Sequence, residues 1–211
     1  TGARIGEALA LTTYQMLDLC NRLERNPREK LRLLVTKGGT PRDIHVPIEV
    51  ARFLVSYIDG ERSLIMRRSQ ASRQLRKDHG AVFVNSAEAP SPWIGLEYKE
   101  KRAEEAFAAA QHKIGLLRKV PIFHTGTRSV IGERDSPRHV LHHLRHTYAV
   151  TAWHAYQHLP EADRWIRIQH QLGHSSYVTT LNTYLRTVRA SEATARDVYA
   201  STLKLIAGAD L

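Results

Sequence analysis

Leu172-Gly173-His174-Ser175-Ser176-Tyr177-Val178-Thr179-Thr180-Leu181-Asn182-Thr183-Tyr184 is the stretch on which the reading of this chain turns. Taken alone it is bland. A Leu-Gly-His string lies among short helical stretches. A single tyrosine such as Tyr184 is most simply a half-buried core ring with a polar tip. Its meaning depends on what lies upstream. Residues 140–158 keep helical apolar spacing through Leu144, Tyr148, Ala149, Ala152, Trp153 and Tyr156, and Pro160 stops that helix. The start of this segment reads His142-His143-Leu144-Arg145-His146-Thr147. His139, His142, His143 and His146 lie three or four residues apart and so share helix faces. They invite a metal reading, but no carboxylate or cysteine from a third element completes a ligand set, and no metal is expected.

Further upstream, residues 121–138 read as a loop, with Gly126, Gly132 and Pro137. Residues 99–118 read as a helix carried by Ala103, Ala106, Phe107, Ala110, Ile114 and Leu117. The segment 85–95 is a loop holding Pro90 and Pro92, and Ala81–Val84 reads as a short strand. Residues 61–80 carry Arg62, Arg67, Arg68, Arg73, Arg76 and Lys77 against Glu61 and Asp78. Before them, Ala51, Leu54, Val55 and Ile58 repeat as one helical face, and Pro47 is well placed to open that helix. Leu31–Thr36 reads as a strand, Lys37-Gly38-Gly39-Thr40-Pro41 as a turn, and Ile44 and Val46 as the return strand. Residues 31–47 are thus a β-hairpin. A polar stretch covers Asn21–Lys30, and Ile5, Ala8 and Leu9 mark a helix near the start, with Arg4 at its beginning and Glu7 one turn later. The fold class expected is α+β, mainly α-helical, with a small antiparallel hairpin.

Composition narrows the function classes. The chain has 211 residues, 42% hydrophobic and 25% charged, which is globular rather than disordered or fibrous. Its 31 Lys and Arg outnumber its 21 Asp and Glu, a net charge of +10 that points to a polyanion, nucleic acid being the commonest. A single cysteine, Cys20, excludes an intrachain disulfide and is expected to be a buried apolar group. No apolar run approaches a membrane span, and no dinucleotide-binding glycine motif, phosphate-binding loop or CxxC pair is present. The chain opens at Thr1 without a methionine, so it is expected to be part of a longer protein.

Four boxes, in order, carry a resemblance. Thr1-Gly2-Ala3-Arg4-Ile5-Gly6-Glu7-Ala8-Leu9-Ala10-Leu11 is the first, Thr36-Lys37-Gly38-Gly39 with Val46-Pro47 the second, and His142–Thr147 the third. The fourth is Leu172–Ser176 followed by Thr179, Thr180 and Tyr184. In this order and spacing the chain resembles the catalytic domain of the tyrosine recombinases, the phage integrase family, over residues 1–186. Tyr184 is the only tyrosine at the family's position, ten residues after His174; Tyr177 is too early and Tyr199 too late. The interval Gln157–Arg167 and the region 85–138 are longer than is usual in that family.

The resemblance implies a helical integrase-like fold occupying residues 1–211, preceded in the whole protein by a core-binding domain that this chain lacks. It also implies a segment 185–211 that packs in cis or onto a neighbouring protomer. It implies DNA strand cleavage and rejoining through a 3′-phosphotyrosyl bond, without metal, ATP or other cofactor. Tyr184 would be the nucleophile, Arg4 and Arg145 the phosphate clamp, and Lys37 the acid that protonates the leaving oxygen. His174 would donate to the phosphate, His142 would assist proton transfer or orient it, and Glu7 and His146 would be structural supports. Guanidinium forks suit phosphate oxygens and keep their charge at any working pH. Arg67, Arg68, Arg73, Arg76, Lys77, Lys113, Arg118 and Lys119 are candidate contacts to the DNA backbone, set against a merely solvated basic face. The expected partner is double-stranded DNA, with a homotetramer on DNA, a monomer or weak oligomer when free, and a cytoplasmic, nucleoid-associated location. A type IB topoisomerase uses a similar residue set, but the Leu-Gly-His-Ser-Ser…Thr-Thr…Tyr string favours the recombinase. A catalytically silent DNA-binding module is disfavoured by the complete six-residue set.

Overall fold

The computed structural model describes residues 1–36, 38–72, 77–127, 129–176, 178–184, 186–190 and 192–194. Lys37, Arg73, Arg76 and the segment 195–211 lie outside the described residues. The chain divides into two compact units, one of Thr1 with Ala3–Leu144, the other of Gly2 with the chain from Arg145 onward.

In the first unit, α1 (Ile5–Leu9) is followed by α2 (Thr13–Arg25). Thr12 caps α2: its hydroxyl accepts the Gln15 N–H at 3.2 Å, and Gln15 Oε1 accepts the Thr12 N–H at 3.0 Å. Met16, Leu19, Cys20 and Leu23 form the buried stripe of α2. The polar run from Asn21 therefore begins as the solvent side of an amphipathic helix, which the sequence reading did not assign. Next come β1 (Leu31–Leu33) and β2 (Arg42–Ile44), an antiparallel pair in the register Leu31↔Ile44 and Leu33↔Arg42. This is the expected hairpin, with shorter strands. Helix α3 (Ile48–Tyr57) opens after Pro47, a π-helical turn covers Ile58–Arg62, and α4 runs Ser63–Ala71. The main core joins Met16, Leu19 and Leu23 of α2 to Leu31, Leu33, Ile44, Val46 and Ala51.

Three sequence readings are corrected. The helix read over 99–118 ends at Lys113, and Leu117 opens a strand instead. Residues 81–84 make isolated bridges, Thr12↔Ala81 and Val84↔Glu97, rather than a strand. After α5 (Glu100–Lys113), the expected loop 121–138 is instead part of a second hairpin, β3 (Leu117–Phe123) and β4 (Val130–Pro137). Gly126, Gly132 and Pro137 argued for a loop. In a two-stranded ribbon, however, each strand has one side open to solvent, and a residue without an N–H costs no ladder bond where that side is the one affected.

In the second unit, α6 (His142–Ala155, of which Arg145 onward belongs here) precedes α7 (Glu161–Leu172), which starts after Pro160. Gly173 ends α7 in the left-handed conformation, φ 67°, its N–H bonding back to Gln169 and His170. Residues 178–184 and 186–190 are helical. Trp153, Trp165, Ile168, Leu172, Tyr184 and Val188 make this unit's core. The Trp153 and Trp165 ring centres lie 4.3 Å apart, and the Arg164 guanidinium sits 4.9 Å from the Trp153 ring. Among the described residues, no helix is long and apolar enough to cross a membrane.

Candidate functional site

The first unit presents Arg4 from a carboxylate anchor. Arg4 lies just before α1, and its backbone N–H donates to Glu7 Oε2 at 2.8 Å. Its guanidinium donates to Glu7 Oε1 at 3.1 Å. Glu7 is buried, and Arg42 of β2 donates to its Oε2 at 2.6 Å. Burial alone would raise the Glu7 carboxyl, but the Arg4 N–H and the Arg42 and Arg4 guanidinium groups outweigh it and hold it below its ordinary 4.5. One carboxylate thus fixes two arginines. Arg42 was missed from sequence, although Arg42, Ile44 and Val46 alternate inward on the return strand, and that period was the available signal. Gly39 N–H donates to Thr36 O at 3.1 Å and the Thr36 hydroxyl donates to Thr40 O at 2.9 Å, while Lys37 lies outside the described residues.

His142, the first residue of α6, is exposed and belongs to the first unit. His139 and His143 meet there through their Nδ1 atoms at 3.2 Å. Among the described residues no cluster of three metal-ligating side chains occurs.

The second unit gathers His146, His174, Thr180 and Tyr184, and it also holds Arg145. Arg145 is 4% exposed. Its Nη1 donates to Gly2 O at 2.6 Å, and its Nη2 to Leu172 O. The αL turn at Gly173 reverses the chain after α7 and sets His174 beside the next helix. Its backbone is tied to α7 by His174 N–H to Gln169 O at 3.2 Å and by Gln169 Nε2 to His174 O at 3.1 Å. Its Nδ1 meets the buried Thr180 hydroxyl at 2.8 Å, which leaves Nε2 as the nitrogen turned away from that bond. The next helix is capped by Ser176, whose Oγ accepts the Val178 N–H at 3.1 Å. Tyr184 follows two turns later and is only 1% exposed. The His174 ring stacks parallel to it at 6.1 Å, and the His146 ring meets it edge-on at 5.1 Å. The first of the paired threonines, Thr179, accepts the Thr183 hydroxyl at its carbonyl, 2.6 Å away. Beyond Tyr184, Glu192 accepts the Trp153 indole N–H at 3.0 Å and ties the chain back onto α6.

The basic candidates fare differently. Arg67 and Arg68 of α4, Lys77, Lys113 at the end of α5 and Arg118 of β3 are exposed. Lys119 is also exposed and is ion-paired to Asp135 across the second hairpin at 3.0 Å.

No known family model matches the chain, and no curated protein is similar to it. Among solved structures, the crystal structure of XerA recombinase is 19% identical, covering 91% of this chain and 54% of that one, with a TM-score of 0.48. The XerH site-specific recombinase, in a post-cleavage complex with a palindromic difH substrate, is 16% identical. It covers 95% of this chain and 43% of that one, with a TM-score of 0.49. The chain thus spans about half the length of either.

Proposed function

We propose that this chain is the strand-cleaving and rejoining part of a tyrosine-type site-specific DNA recombinase acting on double-stranded DNA. The observation that carries the reading is the packing of His146 and His174, from two separate sequence boxes, against the one Tyr184 ring, with His174 held by Thr180. Tyr184 gives up its phenolic proton, with His142 assisting the transfer, as Oη attacks the scissile phosphorus; the P–O5′ bond breaks, and Lys37 protonates the 5′ oxygen as it leaves. A 5′ hydroxyl then attacks the phosphotyrosine, restores the phosphodiester and returns the phenol. One phosphoester bond is exchanged for another in each half, so the cycle balances without an external energy source. Arg4 and Arg145 neutralise the charge that grows on the nonbridging oxygens, Arg4 held by Glu7. His174, oriented by Thr180, donates its Nε2–H to the phosphate, and His142 assists the proton transfer. Tyr184 in the core is a resting nucleophile, so the helix bearing it shifts before attack. In the whole protein the active assembly is a homotetramer on DNA.

The test is a nicked duplex that traps the covalent intermediate. The wild-type protein forms an SDS-resistant DNA adduct, and Tyr184→Phe abolishes the adduct while retaining DNA binding. An adduct that persists in Tyr184→Phe overturns the assignment of the nucleophile.

A further inference from the structure

The second hairpin has no part in the chemistry above, and its two faces differ in charge. Directly paired residues of an antiparallel ribbon project to the same face. The pairs Arg118↔Ser136, Val120↔Arg134 and Ile122↔Gly132 therefore form one face, and Lys119↔Asp135, Pro121↔Glu133 and Phe123↔Val130 the other. The first face carries two exposed arginines and no carboxylate. Both carboxylates, Glu133 and Asp135, fall on the second face, where Asp135 neutralises Lys119. The arginines are diagonal neighbours, with Val120 and Ile122 beside them. At the turn end the strands expose Phe123, 56% accessible, and Ile131, 62% accessible, the latter displaced outward by the register shift. Among the described residues β3 and β4 pair only with each other. An isolated two-stranded ribbon with apolar residues at its end is marginal in water and gains stability from a partner.

We infer that this hairpin is a DNA-docking ribbon: its Arg118–Arg134 face lies on the phosphates of duplex DNA while the apolar end seats in the adjoining groove. The complementary charge selects the occupant. A face with two unpaired-in-sign cations and no acid suits a polyanion, whereas a second copy of this strongly basic chain would meet it with like charge. A two-stranded ribbon also fits the major groove, and apolar side chains at such an end can press against bases. The inference rests on the reading of the chain as a DNA enzyme, but it concerns binding, not cleavage.

The experiment measures fluorescence anisotropy of a labelled duplex with the whole chain over a salt series. Each phosphate contact contributes about 0.9 to the slope of log affinity against log salt, so Arg118→Ser/Arg134→Ser lowers the slope by about 2 and weakens binding by about tenfold or more. Lys101→Ser/Arg102→Ser, an equal loss of two exposed charges on α5, leaves the slope within error. Arg118→Lys/Arg134→Lys retains most of the slope, which separates lost charge from a misfolded ribbon; circular dichroism checks the fold of each variant. Equal affinity and slope for wild type and the serine double variant overturns the inference, and so does a wild type that binds no duplex. A double variant that changes sedimentation and not DNA binding also overturns it, in favour of a protein contact. Adduct formation at Tyr184 is scored separately, so an unaffected adduct with an inert hairpin rejects only the ribbon. A normal hairpin effect without Tyr184-dependent adduct rejects only the nucleophile.

Discussion

Glu7→Gln is the substitution that isolates the anchor beneath Arg4. Gln keeps the size of the side chain and can still accept the Arg4 N–H, but it removes the charge that faces two guanidinium groups. Removing one partner of a buried ion pair costs about 3–5 kcal/mol, because the remaining charge is stranded. Glu7 has 3% of its side chain accessible, whereas Arg42 and Arg4 retain 15% and 28%. Solvent therefore relieves part of the stranded charge, and the lower end of the range applies, about 3 kcal/mol. For a chain of 211 residues that is a fall in Tm of about 6 to 12 °C, read by circular dichroism. Arg42→Gln in the same background removes one stranded cation, so the double variant should lose less than the sum of the singles by about 1 kcal/mol or more. The pH dependence has a definite sign. The folded carboxyl titrates below its ordinary 4.5, so its contribution is fully present above that value and is lost as pH falls through the lowered one. The gap between wild type and Glu7→Gln should therefore be widest near neutrality and shrink as pH falls below 4.5 toward the lowered value. An unchanged Tm for Glu7→Gln, or a gap that stays constant into acid, would refute the anchoring role.

Two further substitutions test other parts of the frame. Gly2 has φ +69°, and a Cβ there would lie 2.5 Å from Tyr148 Cδ1 and 3.0 Å from Leu172 Cδ2. Gly2→Ala should cost about 2–4 kcal/mol from strain and overpacking, whereas Gly38→Ala, with nothing within 4 Å, should melt like wild type; equal melting curves for the two would dismiss the packing account. Asp78 accepts both arms of the buried Arg62 guanidinium, at 2.8 and 2.6 Å, and these hydrogen bonds hold its carboxyl below the ordinary value. Asp78→Asn should destabilise by about 1–3 kcal/mol at pH 7, discounted because Asp78 is partly exposed, and the difference should vanish in acid as the wild-type carboxyl protonates; urea midpoints at two pH values decide it.

What could be read from the sequence followed period and punctuation. The hairpin 31–47 was legible because Leu31, Leu33, Ile44 and Val46 alternate around a Gly-Gly turn, and α3 because Pro47 precedes a clean apolar repeat. Helix α2 was hidden because its solvent face, Asn21 through Arg25, reads as a polar linker once the stripe at Met16, Leu19, Cys20 and Leu23 is overlooked. The β3–β4 ribbon was hidden by the opposite error: Gly132 and Pro137 are loop signals only if the strand must lie inside a sheet. Arg42 alternates with Ile44 and Val46 and so reads as inward-facing, but its partner, a carboxylate 35 residues away, is set by tertiary packing and not by local pattern.

The greatest gap between string and structure is at Tyr184. By spacing it is a reagent; by packing it is the ring at the centre of the second unit, stacked on His174 and edge-on to His146. These roles compete. Burying an aromatic side chain removes about 150–250 Å² from water, worth about 4–6 kcal/mol as an upper bound. Bringing the phenol to a phosphate forfeits some of that, and an ordinary phenol, with a pKa near ~10, needs about 4 kcal/mol more to ionise at neutral pH. Neither cost is met in the free chain. On the proposed function both would fall once DNA is in place: phosphate contacts would supply binding energy to shift the helix, and the cations that draw the phosphate would also favour the phenolate. On the proposed reading, burial of Tyr184 is then what keeps a strand-cleaving residue idle until its substrate is bound.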